Sequence, residues 1–317
     1  MIVAGPNLTI DRTLSIDELR PGEVLRFSRA VVTPGGKGVN VARVARELGA
    51  GAVLVGFVPG RTGAAAAALL ADERIELRGV AVSGEIRSTA VILERDGRVT
   101  VFNEPGPSLG GGDWERFEAV VAQALAGHGV LACSGSLPPG APDDAYGRMV
   151  ALARERGAVT IVDVTGSQLG AALAGEADVV TPNLAEAEGL LHGRADETVE
   201  AGDPGVVRAR AQAAARELVE RGARRAVVTA AAAGAAVASS ADDAHWLSAP
   251  VVEAVRNPIG AGDAFVGGLA LALERGEPFD AAVGAGMATG AASVETDTAG
   301  LVVPARVAEL RGLGCAP

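Results

Sequence analysis

The chain has 317 residues, 49% of them hydrophobic, 21% charged and 3% aromatic, which excludes a disordered or collagen-like polymer and supplies ample apolar material for a core. Its 28 Lys and Arg against 39 Asp and Glu leave a formal net charge of −11, which repels polyphosphate backbones and argues against nucleic acid as a partner. Two cysteines, Cys133 and Cys315, cannot build a disulfide framework, and no CxxC or Cys/His cluster points to structural zinc. Asn7 and Asp11 come too early for a signal peptide, and no apolar run approaches the ~20 residues of a membrane helix, so a soluble, cytoplasmic protein with no membrane partner is expected.

In chain order, the first departure from an α/β rhythm is the strand-like stretch 24–33, matched later by 89–102 with its hairpin signal Asp96-Gly97. Together they predict a small β subdomain, placed after Asp11, that closes as a lid and excludes water; an exposed sheet of this kind also often dimerises. Between the two lies Pro34-Gly35-Gly36-Lys37-Gly38-Val39-Asn40, which holds the only lysine of the chain. A compact ammonium beside bare backbone suits a phosphate or sugar oxygen, although a glycine turn with a solvated lysine reads the same way.

Apolar runs at 52–58, 130–133, 159–164, 178–180 and 226–229 predict buried strands separated by helical patterns. One such pattern is 113–126, where Trp114, Phe117, Val120, Val121 and Leu125 fall on one face and mark core. The alternation implies a mostly parallel sheet covered on both faces, with sites at the carboxyl ends of its strands. The alanine-rich stretches 63–71 and 230–238 read as compositional bias, and Cys133 as a packing residue.

The segment Asn257-Pro258-Ile259-Gly260-Ala261-Gly262-Asp263-Ala264-Phe265 reads as a helix opened by glycines. Its first N–H groups point outward, so Gly260, Ala261 and Gly262, reinforced by the helix dipole, form a cradle for charge developing on a transferred phosphoryl group. Asp263 within that cradle is unsuited to binding a phosphate for its own sake, but it can accept the proton of an attacking hydroxyl. The same residues also fit a glycine-rich helix start carrying an N-terminal charge.

Five motifs in order, GGKGVNVARVARELG (35–49), FNEPGP (102–107), SGSLPPG (134–140), TPNLAE (181–186) and GAGDAF (260–265), resemble the ribokinase-like (PfkB) sugar kinases. Within that family they resemble the hexose-phosphate branch of 1-phosphofructokinase and tagatose-6-phosphate kinase type. The resemblance implies an α/β three-layer sandwich with a mostly parallel central sheet, a single kinase domain over 1–317, and a β lid from about 12–34 and 84–107.

It further implies Asp263 as general base, with the Gly260, Ala261 and Gly262 amides as anion hole. The sugar would be held by Asp11, Gly36, Lys37, Asn40 and Ser136, and its phosphate by Arg87 with help from Lys37. Asn183 and Glu186 would organise Mg²⁺, and ATP would be bound by Asn183, Thr229, Ala231, Gly234 and Gly262, flanked by the helix around 282–294. Leu8-Thr9, Thr181, Ala231 and Pro258 depart from the family pattern; Ala231 stands where a glycine is usual and is strained if that position needs a positive φ.

The resulting expectation is an ATP- and Mg²⁺-dependent kinase of a ketohexose phosphate, with fructose 1-phosphate, fructose 6-phosphate and tagatose 6-phosphate as substrates of choice and a homodimer formed through the lid. Two alternatives stand beside it. One is a kinase of an unphosphorylated sugar or nucleoside, and the other a catalytically silent sugar-binding regulator on the same fold.

Overall fold

The computed structural model describes residues 1–27, 29–193 and 202–312, so Cys315 lies outside the described residues. The apolar runs form a nine-stranded sheet in which β1 (Ile2–Ala4) is flanked by β4 (Val53–Pro59) and β8 (Val130–Ser134). Beyond β4 lies β5 (Glu76–Val82); beyond β8 come β9 (Val159–Asp163), β10 (Val179–Val180), β11 (Ala226–Ala230), β12 (Gly234–Ala238) and β13 (Ala244–Ser248). Pairing is parallel from β5 to β11, and the edge strands β12 and β13 run antiparallel.

Because side chains alternate along a strand, each strand feeds two cores. Ile2, Ala4, Val55, Phe57, Leu131, Cys133, Val162 and Val228 enter one. It is closed by α3 (Asp113–Ala124), α4 (Ala145–Glu155), α5 (Gly166–Ala174), α6 (Leu184–His192) and α7 (Pro204–Glu220). Val3, Leu54, Ala132, Ile161 and Val227 enter the other, covered by α1 (Lys37–Glu47), α2 (Gly60–Asp72), α8 (Ala261–Glu274) and α9 (Phe279–Ser293). The terminal α10 (Pro304–Gly312) packs on α9 through Val307 and Leu310. Strands buried on both faces are what a parallel sheet requires, and the three-layer α/β expectation is met.

A second, four-stranded sheet overhangs the first, in the order β3 (Arg29–Gly35), β2 (Thr9–Ile16), β6 (Arg87–Glu94), β7 (Val99–Asn103). It begins earlier than the sequence suggests: Asp11, after which the subdomain was expected to start, sits inside β2, opposite Thr33 and Thr89. Of the strand expected over 24–33, residues 29–33 form it, pairing with β2 as far as Ser15 opposite Arg29, while 24–27 carry no strand and Val24 is 86% exposed. The stretch 230–238, read as compositional bias, holds the fully buried β12, whose alanines carry none of the β-branched signal of a strand. Among the described residues no helix is long and apolar enough to cross a membrane.

Candidate functional site

The strand ends, the start of α1 and the overhanging sheet converge on a cavity of about 790 Å³. Its floor starts at the loop before α1. Gly36, with φ 103°, turns the chain so that Lys37 opens the helix, and the Lys37 ammonium donates to Asp163 Oδ2 at 3.1 Å. Asp163 closes β9 and is 4% exposed, with the Ser134 hydroxyl 3.4 Å from the same oxygen. The Asp163 charge raises the Lys37 pKa against the opposing effect of burial. Sequence reasoning missed Asp163, although an acidic residue at the carboxyl end of an expected strand is where such a fold places its chemistry.

One turn into α1, the Asn40 amide donates to Asp263 Oδ2 at 2.7 Å. Asp263 lies in the first turn of α8 and is 5% exposed. Burial pushes its pKa up to about 7; Asp163 and Glu186 add to the rise, while Lys37 and the Asn40 hydrogen bond oppose it. Its carboxyl therefore changes charge near neutrality, as a general base requires.

The tip itself is shaped by two different glycines. Gly260 adopts φ 83°, and a Cβ there would strike the Ala299 side chain, whereas a Cβ on Gly262 would meet open space. The first keeps the turn and the second leaves the helix mouth clear for a ligand. Helix geometry leaves the first-turn amides without intrahelical acceptors, and the Ala261 N–H makes only a long 3.3 Å contact to Pro258 O.

From above, the four-stranded sheet contributes Arg87 at the start of β6. Its guanidinium faces the cavity wall formed by Glu104 and Asn7, donating to Asn7 O at 3.2 Å, and burial works against its charge while Asp11 and Glu104 favour it. Asp11 lies beside it on β2. A Cβ on Gly35 would fall on the Asp11 carboxylate, so glycine there is what lets the acid reach across the strand. Burial raises the Asp11 pKa against Arg87 and the Thr89 and Thr9 hydroxyls; its buried Oδ1 has no hydrogen-bond partner, and Asp11 does not itself line the cavity. Ser136 completes the wall, its hydroxyl accepting from the Asn7 amide at 3.1 Å.

Gly36, Lys37, Arg87 and Ser136 thus line one cavity together with Asp163, and Asn40 ties Asp263 to its floor. The remaining expected residues sit on neighbouring strand ends. Asn183 caps α6 in a reciprocal box, its side chain accepting from Glu186 N at 2.8 Å and its own N–H donating to Glu186 Oε2 at 3.0 Å. Asn183 also bridges Thr229 on β11. Glu186 is held above the usual carboxylate range by burial, with Lys37 opposing. Ala231 has φ 44°, a left-handed conformation in which alanine is strained. Gly234 is fully buried, and a Cβ there would run into Leu247 O and the Trp246 ring; its packing alone requires glycine.

Among the described residues no three acidic, histidine or cysteine groups gather as a metal cage. Asp163, Glu186 and Asp263 nevertheless sense one another's charge with Lys37 as their shared cation. Such hard oxygen donors, with Glu186 Oε2 already committed to the α6 cap, fit a Mg²⁺ ion that keeps much of its water shell.

A family model described as pfkB family carbohydrate kinase matches residues 7–306. The chain is 31% identical over 287 residues to ATP-dependent 6-phosphofructokinase isozyme 2 of Escherichia coli (strain K12), covering 90% of this chain and 89% of that one. It is 32% identical over 265 residues to 1-phosphofructokinase of Rhodobacter capsulatus, covering 83% and 80%. The solved structure of phosphofructokinase-2 from Escherichia coli in complex with potassium matches with a TM-score of 0.86 at 29% identity, over 99% of this chain and 98% of that chain.

Proposed function

The chain belongs to the pfkB family of carbohydrate kinases, and within it we propose that it phosphorylates a hydroxymethyl group of a ketohexose phosphate with ATP. The observation that carries this reading is the placement of two cations, Arg87 and the chain's one lysine, on the same cavity as Gly36 and Ser136. With an unphosphorylated sugar the half-buried Arg87 charge is offset only by Asp11, Glu104 and the Asn7 carbonyl, with no anion bound in the cavity itself. The two relatives act on fructose phosphates by name, which agrees with the cation pair. Fructose 1-phosphate, fructose 6-phosphate and tagatose 6-phosphate are the substrates proposed.

In this reading the sugar enters with its phosphate on Arg87, and Lys37 adds donors it does not spend on Asp163. Asp11 accepts sugar hydroxyls through its unpartnered oxygen, and Ser136 and Gly36 set the ring's position. The acceptor hydroxyl meets Asp263, which takes its proton as the oxygen attacks the γ-phosphorus of ATP. The new O–P bond forms as the bond to the ADP oxygen breaks, and the amides of Gly260, Ala261 and Gly262 hold the charge that builds on the phosphoryl oxygens. Glu186 and Asn183 would hold Mg²⁺ with the nucleotide, where the metal would supply positive charge against the phosphates. Thr229, bridged to Asn183, and Ala231 just beyond it would hold the nucleotide.

The four-stranded sheet serves as the lid over this cavity. Val31, Val32, Val101 and Phe102 leave it with exposed apolar side chains, which supports a homodimer formed lid to lid. A buried, unreactive Cys133 thiol, pushed up to about 12 by desolvation, agrees with a cytoplasmic setting. The test of function is a substrate panel with ATP. The expected result is a kcat/KM for at least one of the three phosphates about 100-fold above that for fructose; equal values would overturn the reading.

A further inference from the structure

We propose that Arg43 is a positioning residue for phosphoryl transfer: by fixing the side-chain amide of Asn40, it makes Asn40 present its N–H to the base Asp263. This rests on Asp263 as the base. Arg43 is 2% exposed and spends its whole guanidinium inside the protein. Its Nε and Nη2 grip the two Glu73 oxygens at 2.7 and 3.0 Å. Nη2 also donates to Pro34 O at 2.8 Å, and Nη1 donates to Ala299 O and to Asn40 Oδ1, both at 2.9 Å. Five contacts match the five N–H donors a guanidinium owns, so none is left to rearrange.

The consequence follows from the asymmetry of an amide. Asn40 has one oxygen and one NH₂, and Arg43 offers only donors, so the oxygen must face Arg43 and the NH₂ must face Asp263. In the flipped orientation an amide oxygen would point at the Asp263 carboxylate, a clash that only protonation of Asp263 could relieve, and at Arg43 two sets of donors would meet, a clash that nothing relieves. A protonated carboxyl is no base. Lys37, Asp163 and Glu186 also face Asp263 electrostatically, but none of them can set which end of Asn40 it meets.

The other contacts of Arg43 widen its reach. Pro34 O belongs to the last residues of β3, where the overhanging sheet hands the chain to the lysine loop. Ala299 is the residue against which Gly260 turns at the tip of α8. Glu73 follows α2 and holds Arg43 from behind. One side chain therefore registers the lid strand, the base and the anion hole against one another. Lysine cannot replace it, because a single ammonium has three donors and no planar fork.

The experiment compares the full-length protein with Arg43→Lys, Asp263→Asn and the double variant, by steady-state kinetics on the phosphorylated sugar that the unmodified protein uses best and by denaturant unfolding. Arg43→Lys is expected to lower kcat about 10- to 100-fold with KM for sugar and ATP changed less than about threefold. Arg43 and Asp263 do not touch, yet their effects on the unfolding constant should depart from independence by about fivefold or more. Should the protein prove inactive on every sugar phosphate, the functional reading fails while this coupling still tests Arg43. If Arg43→Lys does not fold, Glu73→Gln, at a partly exposed position, is expected to lower kcat about 3- to 10-fold. A kcat within twofold of the unmodified protein, a loss confined to KM, or independent unfolding effects would each overturn the proposal.

Discussion

Asp163 on the floor of the cavity and Asp263, tied to that floor through Asn40, are 4% and 5% exposed, and each is held by a partner from another element, Lys37 in one case and Asn40 in the other. Arg87 and Asp11 on the overhanging sheet are only half-buried, and Asp11 keeps one oxygen unpaired. The floor is a finished network whose geometry exists before any ligand arrives. The sheet is an unfinished one that a ligand completes. Preorganised groups act on the transition state, whereas groups completed by the ligand contribute to binding. Floor substitutions should therefore appear in kcat and lid substitutions in KM.

The largest test of that division is Asp263→Asn. Turnover is expected to fall by about two to four decades while sugar binding changes far less, as steady-state kinetics and calorimetry would record. A comparable loss of binding would erase the distinction between floor and lid. Next in size is Arg87→Ala, expected to raise KM for phosphorylated sugars by about 10- to 100-fold with kcat within threefold and little effect on unphosphorylated ones. Equal effects on both classes would remove the phosphate contact from the lid.

Stability gives a third test of the floor. Folding raises the Asp263 pKa above its unfolded value of about 3.9 to about 7. The proton bound by the folded state thus contributes fully below about pH 4, and that contribution is lost as pH rises through 7. Asparagine has no charge to bury, so Asp263→Asn should gain in Tm over the unmodified protein between pH 5 and pH 8, and a constant difference would contradict the burial cost. The smallest effect is expected at the nucleotide edge. Ala231→Gly relieves a φ of 44° and should stabilise by no more than about 1 kcal/mol in denaturant unfolding; destabilisation would mean that the loop does not carry strain.

The parts of this division that were legible in sequence are those marked by unusual residue economy. A single lysine among glycines and an aspartate behind Gly260-Ala261-Gly262 stand out because few structural needs explain them, and the strain at Ala231 followed from alanine in a glycine's place. Asp163 was not legible, since one acid at a strand end looks like any other until β9 brings it beside Lys37, 126 positions away. Neither was the Arg43–Glu73 pair, which exists only because α2 returns beside α1. In the fold, the alternation of apolar runs and helices foretold the parallel sheet and its two cores. Strand β12 escaped because buried alanines suit helix and strand alike, and β2 because its polar residues alternate too weakly to announce a face.

The central claim, that a buried Asp263 accepts the acceptor hydroxyl's proton at the tip of α8, is tested most directly by the pH dependence of kcat/KM from pH 5 to 9, measured on the preferred sugar phosphate for the unmodified protein and for Asp263→Asn. The expected result is a rise with one limb centred near 7 in the unmodified protein, absent from the residual activity of the variant. The same limb persisting in the variant would assign the proton to another group and contradict the account.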